Sequence, residues 1–243
     1  MNLVIDQGNS AIKAGVFDQS GLLATYSFNN ADEQQVVLLT QRHPIDCLMV
    51  SSVHANGEKL FEQLSALIPQ SIYFDTNTRL PFTNHYQTPG TLGKDRLAAV
   101  AGAIEQFPNR DLLVIDAGTA ITYELVTATG DYLGGNIAPG LRMRFEALHR
   151  FTSRLPLCEP AIDAPLMGNT TQTAIVAGVQ NSLVFEIEGY IHGLQKSYPN
   201  IQIIATGGDA LFLAEKVKNP IFVVQNLVLN GLNVILNFHT RHP

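Results

Sequence analysis

An aspartate at the end of an apolar run, followed closely by a glycine turn, occurs twice in this sequence, 110 residues apart. The first copy reads Leu3-Val4-Ile5-Asp6-Gln7-Gly8-Asn9-Ser10 and the second Leu113-Val114-Ile115-Asp116-Ala117-Gly118-Thr119. Each apolar run is long enough for a buried strand, and the glycine with its small hydroxyl or amide neighbours marks a tight turn. Such a turn presents backbone N–H groups to phosphate oxygens, and a carboxylate beside it can hold hydrated Mg²⁺. A nucleotide needs both, and two copies point to two half-domains facing one nucleotide. Asp6 alone would pass for a structural aspartate in a turn; the second copy favours the nucleotide reading. A further polar segment, Gly93-Lys94-Asp95-Arg96, opens an Ala-rich stretch and supplies Asp95 as a candidate general base. An aspartate at a helix start and an exposed Asp-Arg pair also have an ordinary structural explanation.

The elements that must position these groups can be read from periodicity. After the first strand come strands over 11–18 and 22–28, then a helix over 31–41, a strand over 46–53, a helix over 58–68 and a strand over 71–74. Residues 81–89 are irregular, and 94–107 reads as a helix. The second half repeats the three-strand opening at 112–115, 121–126 and 132–137, with Gly130-Asp131 as a hairpin turn. A long helical pattern over 169–198 carries a break near Gly189 to Gly193. A strand over 201–205, the turn Thr206-Gly207-Gly208-Asp209, a short helix, a strand over 221–224 and a closing helix over 226–238 follow. The fold class is α/β, with two duplicated halves, 1–110 and 111–243, carrying mixed sheets around a nucleotide cleft. The stripe Leu227, Leu229, Leu232, Val234, Ile235 and Phe238 of the closing helix reads as core, with a dimer contact as the rival.

Composition removes several function classes. The chain has 243 residues, 46% apolar and only 15% charged, which describes a packed protein. A net charge of −6 and the lack of a Lys/Arg cluster disfavour nucleic acid as a partner. No apolar run reaches the roughly 18 residues of a membrane helix, and no signal-peptide pattern opens the sequence, so a cytoplasmic protein away from membranes is expected. Cys47 and Cys158 form no motif and read as buried thiols. The seven histidines show no zinc-ligand spacing.

The order of the motifs carries a resemblance. Asp6-Gln7-Gly8-Asn9-Ser10 with Lys13, Tyr86 ahead of Gly93-Lys94-Asp95-Arg96, Asp116-Ala117-Gly118-Thr119-Ala120, Gly134-Gly135-Asn136-Ile137-Ala138-Pro139-Gly140 and Thr171 together resemble the type III pantothenate kinases. That family lies in the superfamily of actin, sugar kinases and heat-shock chaperone ATPases. The resemblance implies actin-like (ribonuclease H-like) halves and a homodimer that transfers the ATP γ-phosphoryl to pantothenate, the first step of coenzyme A synthesis. It further implies that Asp6, Gln7, Gly8, Asn9, Ser10, Ala11, Ile12, Lys13 and Thr119 bind ATP with its Mg²⁺. Tyr86, Gly93, Lys94, Asp95, Arg96 and Thr171 would bind pantothenate, with Asp95 accepting the proton of its hydroxyl and Arg96 suited to its carboxylate. Asp116 would hold a monovalent cation, K⁺ or NH₄⁺, with a share in Mg²⁺ binding as the rival assignment. For Thr171 a helix cap is the equal alternative, and Thr206-Gly207-Gly208 would approach the adenosine.

Two positions depart from the family's usual pattern: Glu124 stands where aspartate is common, and Ser10 where threonine is frequent. Neither removes a proposed catalytic group. The rivals are a kinase for another small hydroxylated substrate, a non-catalytic regulatory relative, and an actin-like filament protein.

Overall fold

The computed structural model describes every residue except Ser10, Ala55, His242 and Pro243. In chain order its elements are β1 (Asn2–Gln7), β2 (Ile12–Asp18), β3 (Gly21–Phe28), α1 (Glu33–Val37), α2 (Leu39–Arg42), β4 (Cys47–Ser52), α3 (Gly57–Ser65), β5 (Gln70–Tyr73), β6 (Thr83–Asn84) and α4 (Lys94–Gln106). They continue as β7 (Leu112–Ala117), β8 (Ala120–Val126), β9 (Asp131–Pro139), α5 (Leu141–Phe151), α6 (Thr171–Gln195), β10 (Gln202–Thr206), α7 (Ala210–Lys216), β11 (Ile221–Val223) and α8 (Leu227–Arg241).

Two mixed sheets share one plan. The first has the order β3-β2-β1-β4-β5, with β1 antiparallel to β2 and parallel to β4. In the second, β9-β8-β7-β10-β11 repeats that order, with β7 antiparallel to β8 and parallel to β10. The central strands are continuous apolar runs because both of their faces are covered: Leu3, Val4 and Ile5 in β1 and Leu112 to Ile115 in β7 are all buried. The edge strand β3 instead alternates between exposed and half-buried positions.

The chain forms two compact units. One comprises Met1–Asn109, Thr129–Tyr132 and Asn226–Pro243; the other comprises Arg110–Ala128 and Leu133–Gln225. The closing helix therefore belongs with the first unit. Small residues on α4 explain the attachment. Ala98, Ala99, Ala101, Gly102 and Ala103 are buried, and a Cβ on Gly231 of α8 would stand 1.6 Å from the Ala98 carbonyl oxygen. Only glycine allows the two backbones to come so close. The Asn2 amide of β1 donates to Asn233 Oδ1 (2.7 Å) and Asn237 Oδ1 (2.8 Å) of the same helix. Most of the stripe expected to be core is core: Leu227, Leu229, Leu232 and Ile235 are buried, while Val234 and Phe238 are half-buried.

The first unit's core is built from Leu3, Ile5, Ile12, Val16, Leu48, Val50, Leu60 and Leu64. The second unit's core joins Leu113, Ile115 and Ile121 to Phe145 of α5 and to Ile175, Leu183, Ile187 and Ile191 of α6. Helix α6 runs unbroken through Gly189 and Gly193, against the expected interruption. Each interior glycine costs about 1 kcal/mol relative to alanine, and the fully buried Leu183, Ile187 and Ile191 face holds the helix together regardless. The stretch expected as one helix over 31–41 is two short helices, α1 and α2, meeting at Leu38. Both cysteines are free thiols, Cys158 buried and Cys47 only half-buried, with its Sγ donating to Gln70 Oε1 at 3.0 Å.

Candidate active site

The first turn lies between the paired ends of β1 and β2. Asp6 stands opposite Lys13, and Gln7 opposite Ile12. Between them the Gly8 N–H donates to the Ala11 carbonyl at 3.0 Å, closing the loop. Asn30, from the segment after β3, donates its amide to the carbonyls of Gly8 (3.1 Å) and Asn9 (3.0 Å). That double clamp holds two carbonyls on the Asn30 side of the turn. Its own Oδ1 is a buried atom with no hydrogen-bond partner. Gln7 is fully buried; its Oε1 accepts from Ser52 Oγ at 2.9 Å and its Nε2 donates to Glu33 at 3.3 Å. The Gln7 and Ile12 side chains thus serve the core, while Asn9 and Lys13 are exposed. Ser10 lies outside the described residues.

Helix α4 begins beside the same strand ends. The Lys94 ammonium donates to the Ser52 carbonyl at 3.4 Å and lies 4.9 Å from the Tyr73 ring centroid. Burial pushes its pKa below the ordinary lysine value, against the attraction of Asp75 and Glu58. Ser52 is the residue that binds Gln7, so a short chain of contacts links the start of α4 to the Asp6 turn. Gly93 is the N-cap, and Asp95 lies exposed in the first helical turn, with Oδ1 accepting the Arg96 backbone N–H at 2.8 Å. An anion at a helix N-terminus is stabilised there by the helix dipole.

Arg96 turns the other way. Its side chain is buried, its Nη2 donates to the Tyr132 hydroxyl at 3.1 Å, and its Cζ lies 5.6 Å from the Tyr86 ring centroid. The first unit thus gathers Tyr86, Gly93, Lys94, Asp95 and Arg96 around the opening of one helix. Asn30 and Tyr132 join the arrangement from segments that no sequence motif singled out.

The remaining predicted residues belong to the second unit. Asp116 pairs with Thr122 across β7 and β8 and with Thr206 across β7 and β10. The Thr119 carbonyl accepts the Gly140 N–H at 3.0 Å, and the Ala117 carbonyl accepts the Asp209 N–H at 3.0 Å. Gly207, at φ +90°, lies so close that a Cβ would stand 2.5 Å from Ala117 O and 2.6 Å from Asp116 Oδ1. The Thr206-Gly207-Gly208-Asp209 turn is thereby packed on the Asp116 turn. Burial raises the Asp209 pKa. Glu124 is buried opposite Val114, with its carboxylate against Gly135, so its longer side chain is accommodated inside the unit.

Thr171 is the first residue of α6, not its cap: Thr170 caps the helix, and its hydroxyl exchanges hydrogen bonds with Thr173 in a capping box. Thr171 lies instead at an apolar cleft of about 910 Å³ between α5 and α6, lined among others by Leu148, Phe151, Leu155, Ile175 and Val179. Behind it Glu186 accepts from Tyr123 (2.7 Å) and pairs with Arg144 (2.7 Å), and burial with the Glu186 charge holds the Tyr123 hydroxyl protonated.

The type III pantothenate kinase family model matches residues 2–193. A curated type III pantothenate kinase from Bacteroides fragilis is 44% identical over 239 residues, covering 98% of both chains. The chain belongs to the type III pantothenate kinases. Solved structures agree with that family's actin-like fold. The activator of 2-hydroxyisocaproyl-CoA dehydratase from Clostridium difficile superposes with a TM-score of 0.55 at 12% identity, covering 99% of this chain and 95% of that one. An inorganic polyphosphate/ATP-glucomannokinase from Arthrobacter sp. strain KM gives 0.51 at 14% identity, covering 99% and 98%. No helix among the described residues is long and apolar enough to cross a membrane.

Proposed function

We propose that this type III pantothenate kinase phosphorylates pantothenate with ATP to 4′-phosphopantothenate, opening coenzyme A synthesis. The observation that carries the reading is the continuous contact chain from Gly8 and Gln7 through Ser52 and Lys94 to Asp95. It links, within one unit, a carboxylate at a helix N-terminus to a backbone turn suited to phosphate oxygens, which supports the reading. Phosphoryl transfer asks for little more than positioning, charge stabilisation and a group that orients the attacking hydroxyl.

In this mechanism the Asn9 backbone N–H in the turn that Gly8 closes, with Lys13, receives the ATP phosphates. Thr119 and the Gly207 turn contact the nucleotide. Asp95, one oxygen held by the Arg96 N–H, takes the hydroxyl proton on its other oxygen as the bond from that hydroxyl oxygen to the γ-phosphorus forms and the γ-phosphorus bond to the bridging oxygen breaks, releasing ADP. Arg96 and Tyr86 bind the acid end of pantothenate, and Thr171 contributes a further contact. Among the described residues no three His, Cys, Asp or Glu side chains converge on one point. That donor pattern suits Mg²⁺ that arrives on the phosphates and is held by a carboxylate such as Asp6. Bound there, the metal would neutralise developing phosphate charge. The oxygen donors around Asp116, its carboxylate and the turn carbonyls, suit K⁺ or NH₄⁺. The protein acts as a cytoplasmic homodimer, and its exposed Phe151 beside the α5–α6 cleft is the kind of apolar surface a partner covers.

The test is ADP release with Mg²⁺-ATP, with and without pantothenate and K⁺, in the native protein and in Asp95→Asn. Turnover that depends on pantothenate and falls by a factor of about 10²–10⁴ in the variant, with folding and ATP binding retained, is expected. Turnover indifferent to pantothenate would remove the substrate assignment, and an active Asp95→Asn would remove the base.

A further inference from the structure

The aromatic surroundings of Arg96 are more elaborate than a surface carboxylate contact requires. Tyr132 is fully buried, and its ring lies nearly parallel to that of Tyr86, with 6.3 Å between centroids and 12° between planes. Phe82 packs edge-on against the Tyr132 ring at 6.4 Å. The backbone is fixed as well: Tyr132 pairs with Asn84, its carbonyl accepts the His85 N–H at 3.0 Å, and Asn84 Oδ1 accepts the Tyr86 N–H at 2.9 Å. One buried ring therefore stacks on Tyr86, while its hydroxyl, 3.1 Å from Arg96 Nη2, is one of the contacts that fix the rotation of the guanidinium. All of these residues lie in the first unit. A guanidinium recognises a carboxylate through two parallel N–H bonds, and that fork geometry is lost when the plane can swivel.

We infer that Tyr132 is a positioning residue for substrate: its hydroxyl locks the Arg96 fork in the orientation that receives the substrate carboxylate, and so confers selectivity for an acid over its uncharged amide. The inference rests on the pantothenate reading above. Tyr132 touches no reacting atom, so its effect falls on the KM for pantothenate and leaves kcat and the KM for ATP near their native values.

The experiment compares native protein, Tyr132→Phe and Phe82→Leu by steady-state kinetics with pantothenate and with the amide made from its carboxyl group, alongside melting temperatures. Removing one hydroxyl while keeping the ring is expected to raise the pantothenate KM about tenfold. It should also narrow the preference for the acid over the amide. Phe82→Leu loosens the same ring but keeps its hydroxyl, and is expected to lower the melting temperature with little change in KM. Should Tyr132→Phe fail to fold, Tyr132→His, which keeps a polar group facing Arg96, is judged by the same KM-against-kcat split. A folded variant with unchanged pantothenate KM and acid preference, or one losing kcat and both KM values together, overturns the inference. A native protein that does not turn over pantothenate is a different result, which removes the parent reading and this one with it.

Discussion

The two aspartate turns share a sequence pattern and a sheet position but are held in opposite ways. The Asp6 turn has four residues between the paired Gln7 and Ile12, and side chains brace it: the Asn30 amide on two carbonyls, and Ser52 and Glu33 on Gln7. The Asp116 turn has three residues between Ala117 and Ile121, and backbone braces it, through the N–H groups of Gly140 and Asp209 and the bare Cα of Gly207. The cross-strand partner of the carboxylate also differs: Lys13 for Asp6, Thr122 for Asp116. A clamp made of side chains can be tuned one hydrogen bond at a time. Backbone packed on backbone has no intermediate setting, because any added atom collides with something that cannot rotate away.

The largest expected effect tests the rigid turn. Gly207→Ala forces a side chain into a positive-φ position and against Ala117 and Asp116, and is expected to remove roughly 3 kcal/mol of stability. In a chain of this size that lowers the melting temperature by about 6–12 °C; an unchanged melting curve would show that the second turn yields as easily as the first. Asn30→Ala tests the tunable turn. It frees the Gly8 and Asn9 carbonyls, costs about 1–2 kcal/mol, and should raise the KM for ATP about tenfold with the pantothenate KM intact. If both KM values moved together, the clamp would be supporting the whole unit and the contrast would be lost.

The smallest effect concerns charge beside the rigid turn. Burial raises the folded-state pKa of Asp209, so its ionised form is penalised only above that pKa, and the penalty disappears as pH falls through it toward 3.8. Asp209→Asn is therefore expected to stabilise the protein at pH 7 by a few tenths of a kcal/mol after solvent screening. Denaturant titrations should show the gain vanish in acid; a gain that persisted there would place its cause elsewhere than the charge.

The same contrast explains what could be read in the sequence. Strand-turn-strand order is written locally in Leu3 to Lys13 and Leu113 to Thr122, so both sheets were legible from apolar runs and glycine. Helix α4 was legible from its alanines, and α6 from its spacing. Its predicted interruption at Gly189 and Gly193 failed because tertiary burial of Ile187 and Ile191 outweighs a local glycine cost. Helix α5 carries the spacing of Leu141, Phe145 and Leu148, but Pro139-Gly140 ahead of it reads as punctuation and its five charged or imidazole side chains dilute the apolar pattern. Asn30 and Tyr132 left no signal at all, since a lone asparagine after a strand and a lone tyrosine after a hairpin acquire meaning only from what the fold sets beside them. The attachment of α8 to α4 was equally hidden: Gly231 shows its purpose only against Ala98.

That attachment governs how the chain comes off the ribosome. Helix α4 and the strands it covers are synthesised early, yet the helix that seals them is made only after the entire intervening unit. At roughly 5–20 residues per second, the seat on α4 stays open for on the order of ten seconds, lined with alanine and glycine and little able to hold a wrong occupant. The intervening unit has that interval to fold by itself. Its closure of the long loop then shortens the search by which α8 reaches its seat.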